Sequence, residues 1–352
     1  MPVSPRWSSG IGHSLDIGNW SLDIPDTMPG IIEITAWHYA GFVAAVLIFL
    51  ALDLGVFHRE AHVVEFREAL AWTALWFTLA MCFAGLIKAF RPRGEAIEFV
   101  TGYIIELSLS MDNVFVIALI FTYFRVPLAH QHRVLFWGIL GALVMRGVMI
   151  GAGAALIKQF HWMLYVMGGF LIFTGVKMLF VDDDGVHPEK NLFIKLAKKF
   201  FPVTHDFDGQ HFTVKLDGRT ALTPLALVLV MVETTDLIFA VDSIPAIFAV
   251  TQNTFIVFTS NVFAILGLRS LYFVLAGAIG YFRFLKIGLS LVLVFIGVKM
   301  LLGIWDIQIR SGISLIVVAA IILVSMGLSI WSARREGKPL PADGEPPATG
   351  TP

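Results

Sequence analysis

Nine long apolar runs divide the chain, with polar segments between them. The runs lie near residues 37–57, 69–88, 99–123, 134–156, 162–181, 222–250, 255–279, 284–304 and 311–332. Most of them approach the roughly 20 residues that an α-helix needs to cross the hydrocarbon core of a bilayer. The pattern predicts an all-α, polytopic membrane protein with about nine transmembrane helices.

The composition agrees with this class and excludes several others. Hydrophobic residues make up 57% of the chain and charged residues 14%, against about 25% charged in an ordinary soluble domain. The net charge of −1 and the lack of a basic tract give no reason to expect a nucleic-acid partner. The single cysteine, Cys82, excludes an internal disulfide and a cysteine-rich metal site. Without a Gly-rich phosphate loop or a hydrolase triad, we expect neither an enzyme nor an ATP-driven pump.

The polar segments outside the runs suggest the remaining domain boundaries. Residues 1–36 are predicted to be an extracytoplasmic leader. The first apolar run starts too deep for an ordinary signal peptide, so the first helix should be retained. Residues 37–98 should hold two accessory transmembrane helices and residues 305–333 a final one. Residues 334–352 are rich in Pro, Gly, Ala and Glu, which predicts a disordered cytoplasmic tail.

The loop charges predict the orientation. With the N-terminus outside, fifteen Lys and Arg residues fall in the inner loops and the tail, and six fall outside. Positive charge is retained on the cytoplasmic side, so the C-terminus should be cytoplasmic in a multi-pass protein of the inner membrane. Lys88, Arg91 and Arg93 run against this bias.

The longest loop, 182–221, is cytoplasmic in this orientation. Phe193, Leu196 and Phe200 recur at helical spacing, and lysines occupy the opposite face at positions 195, 198 and 199. This pattern predicts a short basic amphipathic helix suited to an anionic inner leaflet. Polar and apolar residues alternate on either side of Asp217-Gly218, which predicts a β-hairpin. An irregular linker is the alternative. The loop could also receive a cytoplasmic partner, and its Asp182–Asp184 triplet could form a soluble metal sensor.

Three anchors reveal an internal repeat. Gly175-Val176-Lys177-Met178-Leu179 recurs 122 residues later, starting at Gly297. Residues 110–115 match residues 234–239, and 143–147 loosely match 266–270. The repeating unit therefore has three helices, 99–181 and 222–304. An odd number of spans inverts the second copy, which is typical of secondary transporters whose substrate site lies at the midplane between copies.

Carboxylates interrupt the first apolar run of each copy. Glu106 and Asp112 lie in one, and Glu233, Asp236 and Asp242 lie in the other. On insertion scales, a single Asp at the centre of a transmembrane helix costs about 2.5–3.5 kcal/mol. Five such groups are hard to explain by packing alone, so we predict that they form one shared site.

Helical projection gives the expected arrangement of the second group. At 100° per residue, Glu233, Asp236 and Ser243 fall within an arc of about 80°, and Asp242 points nearly opposite Glu233. Pro245 removes a backbone donor and clashes one turn back, so we expect a break that turns Asp242 toward the others. The break would also free a carbonyl as a ligand.

The first group needs a similar distortion. Glu106, Ser110 and Asn113 share a face, while Asp112 lies about 120° away on a regular helix. Arg146 and Arg269 occupy repeat-related positions deep in the helices that follow, and they could serve as counter-charges or only in helix packing. The alternative for the whole set is a structural ion-pair network, in which Arg146, Arg269 and the helix lysines Lys177 and Lys299 pair with the acids.

The donor types restrict the metal. The predicted ligands are Glu106, Asp112, Asn113, Glu233, Asp236, Asp242 and Ser243, supported by Ser110, Arg146, Arg269 and Pro245. The seven predicted ligands supply hard oxygen donors, which suit Mn²⁺, Ca²⁺ or Mg²⁺ rather than Zn²⁺ or Cu⁺. The ten histidines fall in loops or at the ends of runs, so an imidazole-ligated site is not expected.

Two motifs resemble the TerC/Alx family of bacterial integral membrane proteins. The first is the Ser-Met-Asp-Asn-Val-Phe-Val segment 110–116, and the second is the longer segment 232–246 around Glu233 and Asp242. The resemblance extends over roughly residues 37–332. That family is grouped with LysE-type exporters; its Alx-like members are linked to manganese export and its TerC members to tellurite resistance.

The resemblance implies metal-ion efflux through the acidic centre, because the seven predicted ligands stand at the matching positions. We therefore expect a secondary transporter that exports a divalent metal, with Mn²⁺ as substrate and no permanently bound cofactor. Two alternatives are a membrane anchor for a tellurite-resistance complex, docked through loop 182–221, and a Ca²⁺/H⁺ exchanger.

Overall fold

The fold is a bundle of membrane-length helices. The computed structural model describes residues 34–52, 66–91, 93–180, 191–204, 206–216, 219–276, 284–305, 307 and 309–335. The helices are α1 (Ala36–Leu52), α2 (Phe66–Phe90), α3 (Arg93–Tyr123), α4 (Leu128–Gln159), α5 (Met163–Phe180), α6 (Leu192–Phe200), α7 (Pro224–Phe248), α8 (Thr254–Ala276), α9 (Leu285–Leu302) and α10 (Ser311–Arg335). Among these residues, eight helices are long and apolar enough to cross a membrane, and α1 is a shorter apolar helix. The predicted polytopic all-α class is confirmed.

The longest helices extend beyond the apolar runs. Helix α3 has 31 residues and α4 has 32, which makes each about 46–48 Å long, against about 30 Å for the bilayer core. At the start of α3, Arg91 pairs with Glu95 at 2.7 Å. An apolar run marks only the part of a helix that lies in hydrocarbon, so the helix continues where charged side chains pair. In the same way α10 continues to Arg335, past the predicted start of the tail.

The two copies of the repeat pack reciprocally. Helix α3 packs on α8 and α4 packs on α7, while α5 packs on α9. At the last crossing, a Cβ at Gly175 would lie 2.9 Å from the carbonyl oxygen of Ser290, and a Cβ at Gly297 would lie 2.6 Å from that of Gly168. These two contacts exchange under the 122-residue offset. The bundle therefore has a pseudo-twofold relation between its copies, and glycines allow the close approach at its axis.

Helices α3 and α8 occupy the centre of the bundle. Of their most apolar windows, 67% and 83% of residues are buried, against 17% for α5. A helix surrounded by protein on all sides can carry polar groups at membrane depth, because neighbouring helices supply their partners. The centre of α3 is therefore the place where the acids of the first copy can be accommodated.

A small extramembrane module links the two copies. Asn191 caps α6, and strand β1 (Thr213–Leu216) pairs antiparallel with β2 (Arg219–Leu222). Thr223 then donates from its hydroxyl to the carbonyl of His211 at 2.7 Å, which ties the hairpin to the first turn of α7. The hairpin turn at 217–218 and the Asp182–Asp184 triplet lie outside the described residues, as do the leader up to residue 33 and the tail from residue 336.

Candidate functional site

Arg146 lies at the centre of a buried polar network. Its guanidinium donates to both carboxylate oxygens of Asp236, from Nη2 at 2.8 Å and from Nε at 3.1 Å. Its Nη1 forms an ion pair with Oε1 of Glu106, which also accepts from the Ser243 hydroxyl at 3.4 Å. Arg146 and Glu106 come from the first copy and Asp236 from the second, so the network joins the two copies.

Three neutral side chains complete this network. Arg146 Nη1 donates to Oδ1 of Asn261 at 3.3 Å and approaches the Ser243 hydroxyl at 3.4 Å. Asn113 donates from Nδ2 to Asp236 at 3.2 Å. All three neutral residues are buried. Since unpaired charges at membrane depth are costly, these contacts explain how the ion pairs are tolerated.

A small cavity lies beside the network. Its volume is about 40 Å³, more than the roughly 10–15 Å³ needed for a water-sized particle, so a single small ion fits. Its lining comes from five helices: Glu106, Leu109, Asp112 and Asn113 from α3, Arg146 from α4, Thr174 and Met178 from α5, Phe239, Asp242 and Ser243 from α7, and Leu293 from α9.

Two buried oxygens on this lining have no hydrogen-bond donor among the described residues. They are Oε2 of Glu106 and Oδ1 of Asn113. Buried acceptors are paired in the great majority of cases, and an unpaired one costs about 1–3 kcal/mol. Both are hard oxygen donors, and they belong to residues that line a cavity of ionic size. The arrangement is therefore suited to a cation or to a water molecule that hydrates one.

The formal charge of the lining is negative. Glu106, Asp112 and Asp242 contribute three carboxylates, and Arg146 contributes one guanidinium, which leaves −2 when all are ionised. Thr174 hydrogen-bonds Asp242, and Lys177 lies near enough to act on it electrostatically. A lining of negative formal charge favours a cation over an anion.

The predicted break at Pro245 is wrong. Helix α7 is continuous from Pro224 to Phe248 and includes Pro245 in its last turn. Ala249 still donates to the Pro245 carbonyl at 3.1 Å, and residues 243–248 are all buried. Packing on every side of this turn holds the helix direction, so the loss of one backbone hydrogen bond does not redirect the chain.

Continuity changes which face of α7 meets the cavity. Asp236, Phe239, Asp242 and Ser243 fall within an arc of about 120° on a regular helix, so Asp242 reaches the cavity without any break. Helix α3 is also continuous through Asp112, and its four lining residues span a similar arc. The distortion predicted for α3 is likewise absent, and it is not needed, because Glu106 and Asp112 both line the cavity from a continuous helix.

Glu233 is placed differently from the prediction. It does not line the cavity, and its carboxylate lies where a Cβ at Gly141 of α4 would be. Ser110 and Arg269 are buried in α3 and α8 but also lie outside the lining. The structure thus brings together Glu106, Asp112, Asn113, Asp242 and Ser243 at the cavity, with Asp236 one layer behind, bound to Arg146.

The acids do not converge into a preformed metal centre. Within the described parts of the chain, no group of three or more His, Cys, Asp or Glu side chains could hold a metal ion. Arg146 explains this arrangement, because its guanidinium stands between Glu106 and Asp236. Ion binding at this cavity would therefore rely on both carboxylate and neutral oxygens.

Two polar residues of the site are not among those predicted from the sequence. Asn261 of α8 receives a hydrogen bond from Arg146, and Thr174 of α5 binds Asp242. Asn261 closes the run Thr259-Ser260-Asn261, which is fully buried. Three consecutive polar residues within an apolar span are a usable signal. Thr174 directly precedes the repeated Gly175-Val176-Lys177 segment, but nothing in the sequence distinguishes it from the many helix threonines that bond their own backbone.

A larger groove elsewhere offers no comparable chemistry. It lies between α1, α2 and α8, has a volume of about 710 Å³, and is lined mainly by aromatic and aliphatic side chains. Its charged residues, Arg91 and Glu95, pair with each other at 2.7 Å. Size alone therefore does not identify the ion site, and the polar cavity between the two copies remains the candidate.

Comparison with known proteins assigns most of the chain to one family. The family model described as "Integral membrane protein TerC family" matches residues 92–337. A membrane protein of Myxococcus xanthus is 51% identical over 310 residues, which covers 88% of this chain and 96% of the relative. The Escherichia coli K12 protein named "Putative membrane-bound redox modulator Alx" is 45% identical over 309 residues, covering 85% of this chain and 96% of the relative. No solved structure matches the chain.

Proposed function

Because the chain belongs to the TerC family of integral membrane proteins, we propose that it is a secondary transporter that exports a divalent cation, with Mn²⁺ as the expected substrate. The observation that carries the proposal is the cavity at the centre of α3, α4 and α7. It combines a lining of negative formal charge with two buried oxygens, Glu106 Oε2 and Asn113 Oδ1, that lack donors among the described residues.

The chemistry of the lining supports a hard divalent ion. Carboxylate, amide and hydroxyl oxygens suit Mn²⁺, Mg²⁺ and Ca²⁺. Within that group, Mn²⁺ and the outward direction rest on the resemblance to Alx-like members and LysE-type exporters. The cavity lies near the middle of long helices from both copies, where inverted-repeat transporters bind their substrates.

In this proposal Arg146 acts as an internal counter-ion. In the ion-free state it pairs with both Glu106 and Asp236. An arriving divalent cation would compete with the guanidinium for Glu106, while the two-point pair with Asp236 keeps Arg146 nearby. Release of the cation would restore the ion pair. Glu106 would thus have a cationic partner in both states, which lowers the cost of keeping it in the membrane.

The proposed orientation has the N-terminus outside and the C-terminus in the cytoplasm of the inner membrane. It rests on the bias of Lys and Arg toward one set of loops. A reporter fused after Lys199 should be cytoplasmic, and one fused near Arg310 should be external. The reverse pattern would contradict this orientation without affecting the cavity.

The name of the E. coli relative suggests a role in redox balance. With one cysteine in the whole chain, an internal disulfide cannot carry such a role. We propose that any redox effect of this protein acts through the ion that it moves. The proposal of metal export and a redox effect on the cell are compatible in this form.

Cellular manganese separates transport from an anchoring role. Cells grown in Mn²⁺ should accumulate less manganese when they express the protein than when they express Asp242→Asn. Glu95→Gln, which changes a carboxylate outside the cavity, is the matched control and should behave like the unchanged protein. Equal manganese with all three would favour the membrane-anchor alternative, and loss of calcium in place of manganese would favour a Ca²⁺/H⁺ exchanger.

A further inference from the structure

Helix α6 presents an exposed apolar stripe. Leu192, Phe193, Leu196 and Phe200 are exposed to 72%, 48%, 47% and 68%. At 100° per residue they fall within an arc of about 100° along the nine-residue helix. An apolar stripe of this kind on an extramembrane helix indicates an interaction surface.

A second face of α6 is fixed to the bundle. Ile194 is 2% exposed and belongs to the apolar cluster that includes Met231 and Val232 of α7. Asn191 accepts hydrogen bonds from the first turn of α6 and donates from Nδ2 to Met231 Sδ at 3.3 Å. The direction of the exposed stripe is therefore set by α7.

A third face carries positive charge. Lys195, Lys198 and Lys199 are all exposed, and they fall within a second arc of about 100° that borders the stripe at Leu192. The helix contains no acidic residue. A helix with one apolar face and adjacent lysines is the type that lies in the plane of a membrane surface, with its cations at the headgroups of anionic lipids.

We propose that α6 is an interfacial helix that binds anionic lipid, inserting Leu192, Leu196 and Phe200 at the headgroup boundary and placing its three lysines against lipid phosphates. The three lysines are complementary in charge to lipid phosphates, which favours anionic lipid over a neutral apolar partner. The proposal does not depend on ion transport. Because α6 packs on α7, lipid binding would also restrain α7, the helix that carries Asp236 and Asp242.

The test measures where position 200 lies in a bilayer. The full chain, with Cys82→Ala and Phe200→Cys, is labelled with an environment-sensitive fluorophore and placed in nanodiscs that contain doxyl-labelled lipid. Cysteine at Thr213, exposed on the hairpin, is the control position. We expect the label at position 200 to be quenched by lipid and the label at 213 to be quenched far less.

The lipid composition and the lysines test the electrostatic part. Quenching at position 200 should be greater in phosphatidylcholine discs that contain phosphatidylglycerol than in phosphatidylcholine alone. Each of Lys195→Gln, Lys198→Gln and Lys199→Gln should shift the docking equilibrium about fivefold toward the undocked state, following the energy of a lysine near an anionic surface. Lys158→Gln, at the end of α4, should leave it unchanged.

Two results would overturn the proposal. One is a label at position 200 that lipid does not quench, whether it is exposed to water or covered by protein such as residues 181–190. The other is quenching that depends neither on phosphatidylglycerol nor on the lysines, which would mean simple apolar contact. Either result would leave the transport proposal intact, since neither experiment measures ion flux.

Discussion

Arg146 holds Asp236 at two points, at 2.8 and 3.1 Å, across the boundary between the two copies of the repeat. The same guanidinium forms an ion pair with Glu106. An acid from each copy thus shares one cation of the protein at the centre of the bundle. Two further carboxylates, Asp112 and Asp242, line the cavity beside this network.

Removal of Arg146 alone should destabilise the protein strongly. Arg146→Gln leaves Glu106 and Asp236 buried without their cation, and breaking a buried ion pair in this way costs about 3–5 kcal/mol. Denaturation in detergent should show this loss. The triple variant Arg146→Gln, Glu106→Gln, Asp236→Asn removes every charge of the network and should recover much of it. If Arg146→Gln alone were as stable as the triple variant, the residues of the network would not be energetically coupled.

Glu233 should be dispensable for ion binding, although it belongs to the same acidic motif as Asp242. Its carboxylate lies against Gly141 and away from the cavity. Glu233→Gln should therefore keep the rise in melting temperature produced by Mn²⁺, while Asp242→Asn loses it. If both variants lost the Mn²⁺-dependent rise in melting temperature, Glu233 would belong to the ion site.

Pro245→Ala should stabilise the protein without weakening ion binding. Proline in a helix interior costs up to about 3 kcal/mol, and α7 already continues through this position. Asp242 should stay at the cavity, so the melting temperature should rise in the absence of metal and the Mn²⁺-dependent increment should be unchanged. A smaller increment would mean that the proline turns Asp242 toward the ion.

The glycines of the α5–α9 crossing should tolerate no side chain. A Cβ at Gly175 would lie 2.9 Å from both the Ser290 carbonyl oxygen and Val294, whereas nothing lies within 4 Å of a Cβ at Gly169 in the same helix. Gly175→Ala should cost about 1–3 kcal/mol in unfolding free energy through overpacking. Gly169→Ala should be neutral or stabilising, since alanine is the better helix former. Similar changes in unfolding free energy for the two variants would argue against a close crossing of α5 and α9.

The transmembrane helices were predictable because each one contains a long apolar run. The residues at which they begin and end were harder to predict. Polar flanking residues such as Arg91 and Glu95 pair locally and extend a helix, and hydropathy does not detect this pairing. The repeat was also visible, since Gly175 and Gly297 keep their spacing to neighbouring anchors. The reciprocal contact that requires these glycines appears only when the helices are packed.

The candidate site was predictable in its residue types and only partly in its geometry. Projection on a regular helix placed Asp242 opposite Glu233 and led to an expected break at Pro245. The structure keeps the helix regular and turns a neighbouring face to the cavity, one that includes Asp242 and Ser243 but not Glu233. Which arc of a helix meets a cavity depends on neighbouring helices, and the sequence of that helix alone does not contain this information.

Flux of Mn²⁺ through the purified protein tests the central claim most directly. Proteoliposomes loaded with a manganese-sensitive dye should take up Mn²⁺ when they contain the unchanged protein or Glu95→Gln. Liposomes with Asp112→Asn or Asp242→Asn should take up no more than protein-free ones, because each variant removes a carboxylate from the cavity lining. Full flux in both cavity variants, or none in the unchanged protein with any of Mn²⁺, Mg²⁺ and Ca²⁺, would contradict the proposed transport through this cavity.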